Sequence, residues 1–424
     1  MLRFCMLTTF YPPHNFGGDG IGVQRLSRAL VRRGHRVTVV HEADAYAALA
    51  TGSATKAGVD EDGIEVVRLR SGLGALSPLL THQLGRPVVN GRRIRRLLEA
   101  GSYDVIMFHN TSLVGGPGLL SYGEGIKLYE AHEHWLVCPT HVLWRHGREP
   151  CDARECLRCV LSYHRPPQLW RYTGLLERQL AHVDGFIAKS EFSRRKHAEF
   201  GFPRAMQVIP YFLPDTAGDG APAEAGAAGS PPNGGRPYFL FVGRLERIKG
   251  LDDVIPAMAS HPEADLLIAG DGEYGARLRE LGRSVPNVRF LGRIAPEALR
   301  MLYASAIALV VPSVCFETFG IILIEAFRQG TPVLARRIGP FPEIVEAGGG
   351  GLLFDAGSEL PGLMRRLQRE PALRTRLAVA ARASFARYWT EEAVVPQYLD
   401  LISECANRRG RGDIVERLTS GSVA

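Results

Sequence analysis

Two series of short apolar runs, each run separated from the next by a helix-length segment, constrain this chain more than any other feature. The first series is 4–10, 36–41, 65–69, 104–109, 127–132, 185–190 and 206–210, with an amphipathic helix expected over 23–33. Short apolar runs alternating with helices imply a parallel sheet covered on both faces. The second series is 238–242, 264–269, 288–291, 307–311, 332–335 and 351–354. Between the two, residues 215–236 are rich in Gly, Ala and Pro and carry almost no large apolar residue. Such a stretch cannot bury a core and reads as a flexible linker. The pattern predicts an α/β chain with two Rossmann-like domains, 1–214 and 237–388, each built on a parallel sheet. Helices at 389–424 follow, with a polar tail after Arg408.

Composition excludes several classes. The 424 residues are 46% hydrophobic and 22% charged, which describes a globular chain long enough for two cores. No run of eighteen apolar residues is present, so no membrane-spanning helix is expected. Met1-Leu2-Arg3-Phe4-Cys5 runs straight into a strand without a signal-peptide h-region or cleavage site, and a cytoplasmic location is expected. The net charge of +7 suits an anionic ligand or an anionic membrane surface. No nucleic-acid motif accompanies it, so no nucleic-acid partner is expected.

The sharpest chemical signal is Glu317-Thr318-Phe319-Gly320-Ile321-Ile322-Leu323-Ile324-Glu325. Phe319-Gly320 is a poor helix interior, so Glu317 falls in a loop and Glu325 within the apolar helix that follows. A helix N-terminus binds anions through its N–H groups and its dipole. Two carboxylates flanking such an anion site suit a ligand with a phosphate between hydroxyl-rich groups, as in a nucleotide-sugar. Upstream, Arg244 and Lys249 follow an apolar run that ends in Gly243. A guanidinium can grip a phosphate with paired hydrogen bonds, and an ammonium adds a point charge. Taken alone, these two could equally be a surface pair beside a turn.

Together these segments resemble the E-x7-E glycosyltransferases of family 4, with the GT-B architecture. Phe241-Val242-Gly243-Arg244 with Lys249-Gly250 resembles the family's donor-phosphate segment. Leu267 to Gly272 resembles its second glycine turn, and Phe16-Gly17-Gly18 its phosphate-side glycine loop. The resemblance implies a retaining sugar transfer from a nucleotide-diphosphate sugar bound between two domains, with a UDP-sugar first and GDP-mannose second. It also implies that the last helices, near 390–405, cross back to the first domain. Arg244 and Lys249 would neutralise the diphosphate in place of a catalytic divalent metal. Glu325 would accept the ribose hydroxyls, and Glu317 would meet the transferred sugar beside the amides of Thr318, Phe319 and Gly320. Gly17 and Gly18 would let backbone amides approach a phosphate, although a plain flexible loop fits them too. Gly270 could shape the base pocket or simply make a tight turn. His132, at a strand end, would contact the donor sugar, with His109 as the second candidate and a structural histidine as the plainer reading of either. Same-face attack, with the leaving phosphate taking the acceptor's proton, accounts for retention.

One feature departs from the family. Cys138, Cys151, Cys156 and Cys159 form C-x12-C-x4-C-x2-C, four of the chain's seven cysteines. Such clustering in a cytoplasmic chain favours a metal over disulfides. Structural zinc, an iron–sulfur cluster and redox-active thiols all remain open, as does a role in stapling the loop 135–172. Arg92, Arg93, Arg95 and Arg96 lie on an expected helix with Ile94, Leu97 and Leu98. A basic amphipathic helix suits peripheral contact with a membrane, although a solvated face has the same pattern. The apolar stretch 73–84 fits either an acceptor mouth or core. The expected acceptor is a saccharide, a lipid-linked saccharide or a small molecule in surface polysaccharide or glycoconjugate synthesis. A metal-stabilised scaffold and a GT-B epimerase are the alternatives.

Overall fold

A computed structural model describes residues 1–50, 63–214 and 233–419. The expected linker lies mostly outside them, at 215–232, as do the last five residues of the expected tail. Contacts divide the chain into two units, Met1–Pro214 with Val394–Ala424, and Asp215–Ala393.

The first unit contains β1 (Arg3–Thr8), β2 (Arg36–Glu42), β3 (Ile64–Leu69), β4 (Val105–Phe108), β5 (Ile126–Ala131), β6 (Trp144–Arg145), β7 (Glu149–Pro150), β8 (Gly185–Ala188) and β9 (Gln207–Val208). Seven of these form one sheet in the order β3-β2-β1-β4-β5-β8-β9. Each neighbouring pair in it is parallel. β1, β4 and β5 are buried almost throughout, as strands with both faces covered must be. The remaining two strands, β6 and β7, pair antiparallel as a hairpin inside the cysteine-rich segment. That hairpin is not legible in the apolar pattern, because each strand has only two residues.

The second unit repeats the plan with β10 (Tyr238–Val242), β11 (Asp265–Ala269), β12 (Val288–Gly292), β13 (Ala308–Val311), β14 (Val333–Arg336) and β15 (Gly351–Phe354). Their order is β12-β11-β10-β13-β14-β15, again parallel. Both sheets therefore change winding direction once, between β1 and β4 and between β10 and β13. Such switch points leave a crevice outside the strand C-termini where ligands of this fold class sit.

Two expectations change. The first helix is Gly18–Arg32, beginning five residues before the expected start. Gly20 and Gly22 lie inside it because backbone and ring press on them: a Cβ would meet the Phe10 carbonyl oxygen at 3.1 Å and the Tyr211 ring at 2.7 Å. The stretch 73–84 is not core. It forms the helix Leu76–Leu84 after a turn, and Leu73, Leu76, Leu79 and Leu84 are exposed. No helix among the described residues is long and apolar enough to cross a membrane.

The end of β11 packs on the end of β10 at a separation only glycine permits. Gly270 has φ +145°, and a Cβ there would lie 1.8 Å from the Gly243 carbonyl oxygen. Gly270→Ala should destabilise the second unit by about 2 kcal/mol or more, through strain and displaced backbone. Hydrogen exchange should speed up in β10 and β11 while β1 and β4 keep their protection. Unchanged exchange in β10 would contradict this packing.

Candidate functional site

In the second unit, the loops after β10 and β13 meet at the switch point. The Val314 N–H donates to the Ile248 carbonyl at 2.9 Å. Gly250, at φ +73°, abuts the Pro312 carbonyl, where a Cβ would sit 2.1 Å from the oxygen. The short helical turn Arg247–Lys249 thereby aims Lys249 at Glu317, and the two form an ion pair. The Ser313 hydroxyl lies 3.5 Å from the same carboxylate oxygen. Burial opposes the charge of Lys249, but the Glu317 carboxylate outweighs it and raises the lysine's pKa. Arg244 is more exposed and pairs with Glu246 at 2.7 Å. It is still close enough to Lys249 to oppose that lysine's charge. Two cations thus converge, each on a carboxylate that an incoming anion could displace.

Glu325 lies in the helix Ile321–Gln329 and is partly buried. The buried Tyr303 hydroxyl donates to it at 3.1 Å. Burial, and then Glu325 itself, raise the Tyr303 pKa well above its ordinary value, so Tyr303 stays a phenol and a donor. Gly320 caps that helix at φ +128°, against the Phe341 ring. The side chain of Phe319 is core, whereas Thr318 is partly buried. Gly270 and Gly272 lie beneath the Arg244 loop. The Leu245 N–H bonds the Asp271 carbonyl at 2.9 Å, and a Cβ on Gly272 would meet the Leu245 oxygen at 2.5 Å. Their evident duty is to support that loop.

In the first unit, Gly17 caps the helix Gly18–Arg32, and the Asn15 side-chain amide donates to its carbonyl at 2.9 Å. Asp19 follows in the first turn, receiving an Asn110 amide hydrogen bond at 3.3 Å. Burial and the nearby Glu133 raise the Asp19 pKa.

His132 and His109, the two histidine candidates, are in direct contact. His109 Nδ1 lies 2.9 Å from His132 Nε2, and His132 Nδ1 is hydrogen-bonded to the Tyr211 hydroxyl. Beneath them Glu130 accepts from Lys189 at 2.5 Å and from Tyr398 at 2.9 Å, while Lys189 also meets Tyr398 at 2.8 Å. Burial works against ionisation of Glu130, but Lys189 and the two histidines hold its carboxyl well below the usual range. Burial also pushes the His132 imidazole down to about 3, against the pull of Glu130. His132 is therefore a neutral hydrogen-bonding group. Removing Lys189 would leave a buried carboxylate uncompensated, at a cost of about 3–5 kcal/mol.

Sequence reading missed Glu130, Lys189, Tyr211, Tyr303 and Tyr398. Glu130 had a usable signal, since a carboxylate inside an apolar strand must find a partner. Lys189, at the end of β8, falls under the same strand-end rule that singled out His132. The tyrosines depend on tertiary contact alone.

The four clustered cysteines are free thiols, with Cys138 and Cys159 buried and the other two partly so. Burial and then Cys138 push the Cys151 thiol up to about 11. Among the described residues, the group of metal-ligating side chains whose ligand atoms all lie within 4.8 Å of one another is His109, Glu130 and His132. The four thiols form no such group. Lys189 already supplies a positive charge to Glu130 within that set.

Comparison with known proteins agrees with both sheets. Residues 16–214 match the family described as Glycosyltransferase Family 4, and residues 225–384 match Glycosyl transferases group 1. A D-inositol 3-phosphate glycosyltransferase of Xylanimonas cellulosilytica is 29% identical over 420 residues, covering 93% of each chain. Matches to several other curated relatives are shorter and span 29–44% of those proteins. Sucrose-phosphate synthase from Thermosynechococcus elongatus superposes with a TM-score of 0.70 at 20% identity, covering 95% of this chain and 99% of that one. Anabaena HepE in complex with UDP and glucose gives 0.64 at 20% identity, covering 95% and 100%. These likenesses show the GT-B fold.

The first unit should be acid-sensitive. Burial lowers His41 and His132 to about 3 and His197 to about 4. Their folded pKa values lie below the unfolded value near 6.5. The unfolded chain therefore binds more protons below that pH, and stability is lost as pH falls through this window. Melting followed by the fluorescence of Trp135, Trp144 and Trp170 should shift down by about 5 °C or more between pH 7 and pH 5. An unchanged midpoint would mean that these imidazoles are protonated inside the fold.

Proposed function

The chain belongs to glycosyltransferase family 4, and we propose that it transfers a sugar, with retention, from a nucleotide-diphosphate sugar. The carrying observation is the contact of Lys249 with Glu317 at the β10/β13 switch point, beside the helix that presents Glu325. In this reading the diphosphate draws Lys249 and Arg244 to itself and releases Glu317 to the hydroxyls of the transferred sugar. Glu325, held by Tyr303, accepts from the ribose. The bond from the sugar's anomeric carbon to the phosphate oxygen breaks. A bond to the acceptor oxygen forms on the same face, and the acceptor's proton passes to the leaving phosphate. Negative charge grows on that phosphate, and the two cations stabilise it without an added divalent metal. His132 enters as a neutral hydrogen-bond partner for the sugar, and Gly17 and Gly18 as the phosphate-side turn.

A UDP-sugar is the favoured donor, supported by the bound UDP of the Anabaena protein, with GDP-mannose second. A lipid-linked or other saccharide is the favoured acceptor. Exposed Leu73, Leu76, Leu79 and Leu84, with exposed Arg92, Arg93, Arg95 and Arg96, support peripheral contact with an anionic membrane. Surface polysaccharide or glycoconjugate synthesis fits such an acceptor.

Saturation-transfer NMR with UDP-, GDP-, ADP- and dTDP-sugars tests the donor site. One nucleotide should bind, and Lys249→Ala should weaken it by about 10- to 100-fold, the loss of a charge-assisted contact. Folded protein that binds none of them would overturn the proposal. NMR of the product should show the donor's anomeric configuration; an inverted linkage would eliminate same-face attack.

A further inference from the structure

The loops that follow β1, β2 and β3 gather aromatic rings at one corner of the first sheet. Paired hydrogen bonds close the loop after β1: the His14 N–H donates to the Tyr11 carbonyl at 2.7 Å, and the Tyr11 N–H to the His14 carbonyl at 3.2 Å. That turn sets His14 on the buried His41 ring of β2, with centroids 5.6 Å apart. Tyr46, on the helix Ala43–Leu49, meets His14 edge-on at 5.3 Å and stacks on Phe16 at 4.7 Å. Phe10 closes the set, 5.2 Å from Phe16. Phe16 keeps 40% of its surface exposed despite these neighbours, and Tyr46 is partly buried. The outer end of the cluster is therefore a flat apolar wall at strand C-termini, where ligands of such sheets sit.

Two further observations give that wall a chemistry. First, the fold brings guanidinium groups to it. Arg68 stands opposite His41 in the β2–β3 register and so shares its face of the sheet. Arg70 follows just past the end of β3. The Asp44 carboxylate fixes this stretch by accepting the Ser71 N–H at 2.7 Å and the Ser71 hydroxyl at 2.8 Å. Asp44 lies on the same helix as Tyr46, so the backbone at Arg70 is tied to the element that carries the ring. Arg70 is exposed, and among the described residues no carboxylate pairs with it. Burial, and then Arg68 and Arg70, lower the His14 pKa. Burial first, with His14 and the same two arginines adding to it, lowers His41 to about 3. Both imidazoles stay neutral, so the positive charge of this corner belongs to the arginines. Second, His14 Nδ1 and both ring nitrogens of His41 are buried with no hydrogen-bond partner among the described residues. Such groups cost stability that an aliphatic core would keep, and departures of this kind collect at functional sites.

We propose that this corner is the subsite for the acceptor, and that it selects an acidic sugar. The sugar ring lies with its C–H face on Phe16 and Tyr46, and its carboxylate or phosphate meets Arg70 and Arg68. An aromatic ring offers that face apolar contact, and a guanidinium grips a carboxylate or phosphate with paired hydrogen bonds. A neutral sugar has the first contact alone. The inference rests on the transferase reading and adds to it. Lys249, Arg244, Glu317 and Glu325 serve the nucleotide-sugar, and the first unit reads the charge of the molecule that receives the sugar.

The test is saturation-transfer NMR on the full-length protein with glucuronic acid, glucose 6-phosphate and glucose, and with inorganic phosphate as competitor. At least one acidic sugar should bind about 10-fold or more tighter than glucose, the effect of one charge-assisted contact. Inorganic phosphate at the same concentration should not displace it. Phe16→Leu, which keeps apolar bulk and loses the flat ring, and Arg70→Ala should each weaken that binding by about 10-fold. Arg70→Lys should recover part of the loss. Which acid binds separates a carboxylate from a phosphate acceptor. Equal binding of glucose, displacement by inorganic phosphate, or binding unchanged in both variants would overturn the proposal, as would the binding of none of the three sugars. If a variant does not fold, the comparison of acidic with neutral sugar on the unaltered protein decides. Nucleotide-sugar binding is recorded on the same sample. Its loss would count against the transferase reading, whereas its presence without selection of the acid counts against the subsite alone.

Discussion

A parallel sheet covered on both faces leaves its chemistry nowhere to go but the strand ends. Faces are apolar by necessity, so polar groups used on a ligand must come from the loops beyond the C-termini. The switch in winding decides which of those loops become neighbours. In the second unit it brings the loop after β10 against the loop after β13, although nearly seventy residues separate Lys249 from Glu317. Everything local serves that contact. Gly270 and Gly272 lie close under the Arg244 loop, and Gly250 admits the Pro312 carbonyl. The glycines are what allow three backbone segments to approach more closely than any side chain would permit.

The first unit handles the same geometry differently. Its strand ends carry a buried ionic network, in which Lys189, Glu130 and Tyr398 satisfy one another and two histidines complete the shell. Tyr398 belongs to the returning C-terminal segment, which is thereby fixed by hydrogen bonds to a charge and not by apolar packing alone. Such a network makes the alignment of the helix Glu391–Arg408, which carries Tyr398, specific, because a shift by one turn would strand a buried carboxylate. Burial keeps His132 neutral against the pull of Glu130, and Lys189 adds to that effect. With Lys189 already on Glu130, a second positive charge in the same dry space is disfavoured.

What the sequence made legible follows from the range of each interaction. The two sheets were readable because alternation of apolar runs is a local signal repeated many times. The E-x7-E segment was readable because a loop–helix junction is encoded within nine residues. The start of the first helix was misjudged, since Gly20 and Gly22 read as loop formers until Tyr211 and the Phe10 carbonyl are seen to require them. The stretch 73–84 could be read as acceptor mouth or as core, because hydrophobicity alone does not say which apolar residues find a partner. Tyr303 behind Glu325 and Tyr398 on Glu130 lie too far along the chain for any pattern to connect them.

The two arginines that matter most differ in how their charge is answered, and the difference separates function from architecture. Arg244 is accessible, shares its surroundings with Lys249, and pairs with Glu246. Its charge can be lent to a ligand because solvent carries it otherwise. Arg171 lies against two indole rings and, among the described residues, pairs with no carboxylate. It is partly buried, and the Trp135 carbonyl and the Gln168 side-chain oxygen accept from its guanidinium. It thereby ties the residues around Trp135 to those around Trp170 and serves the architecture of that segment.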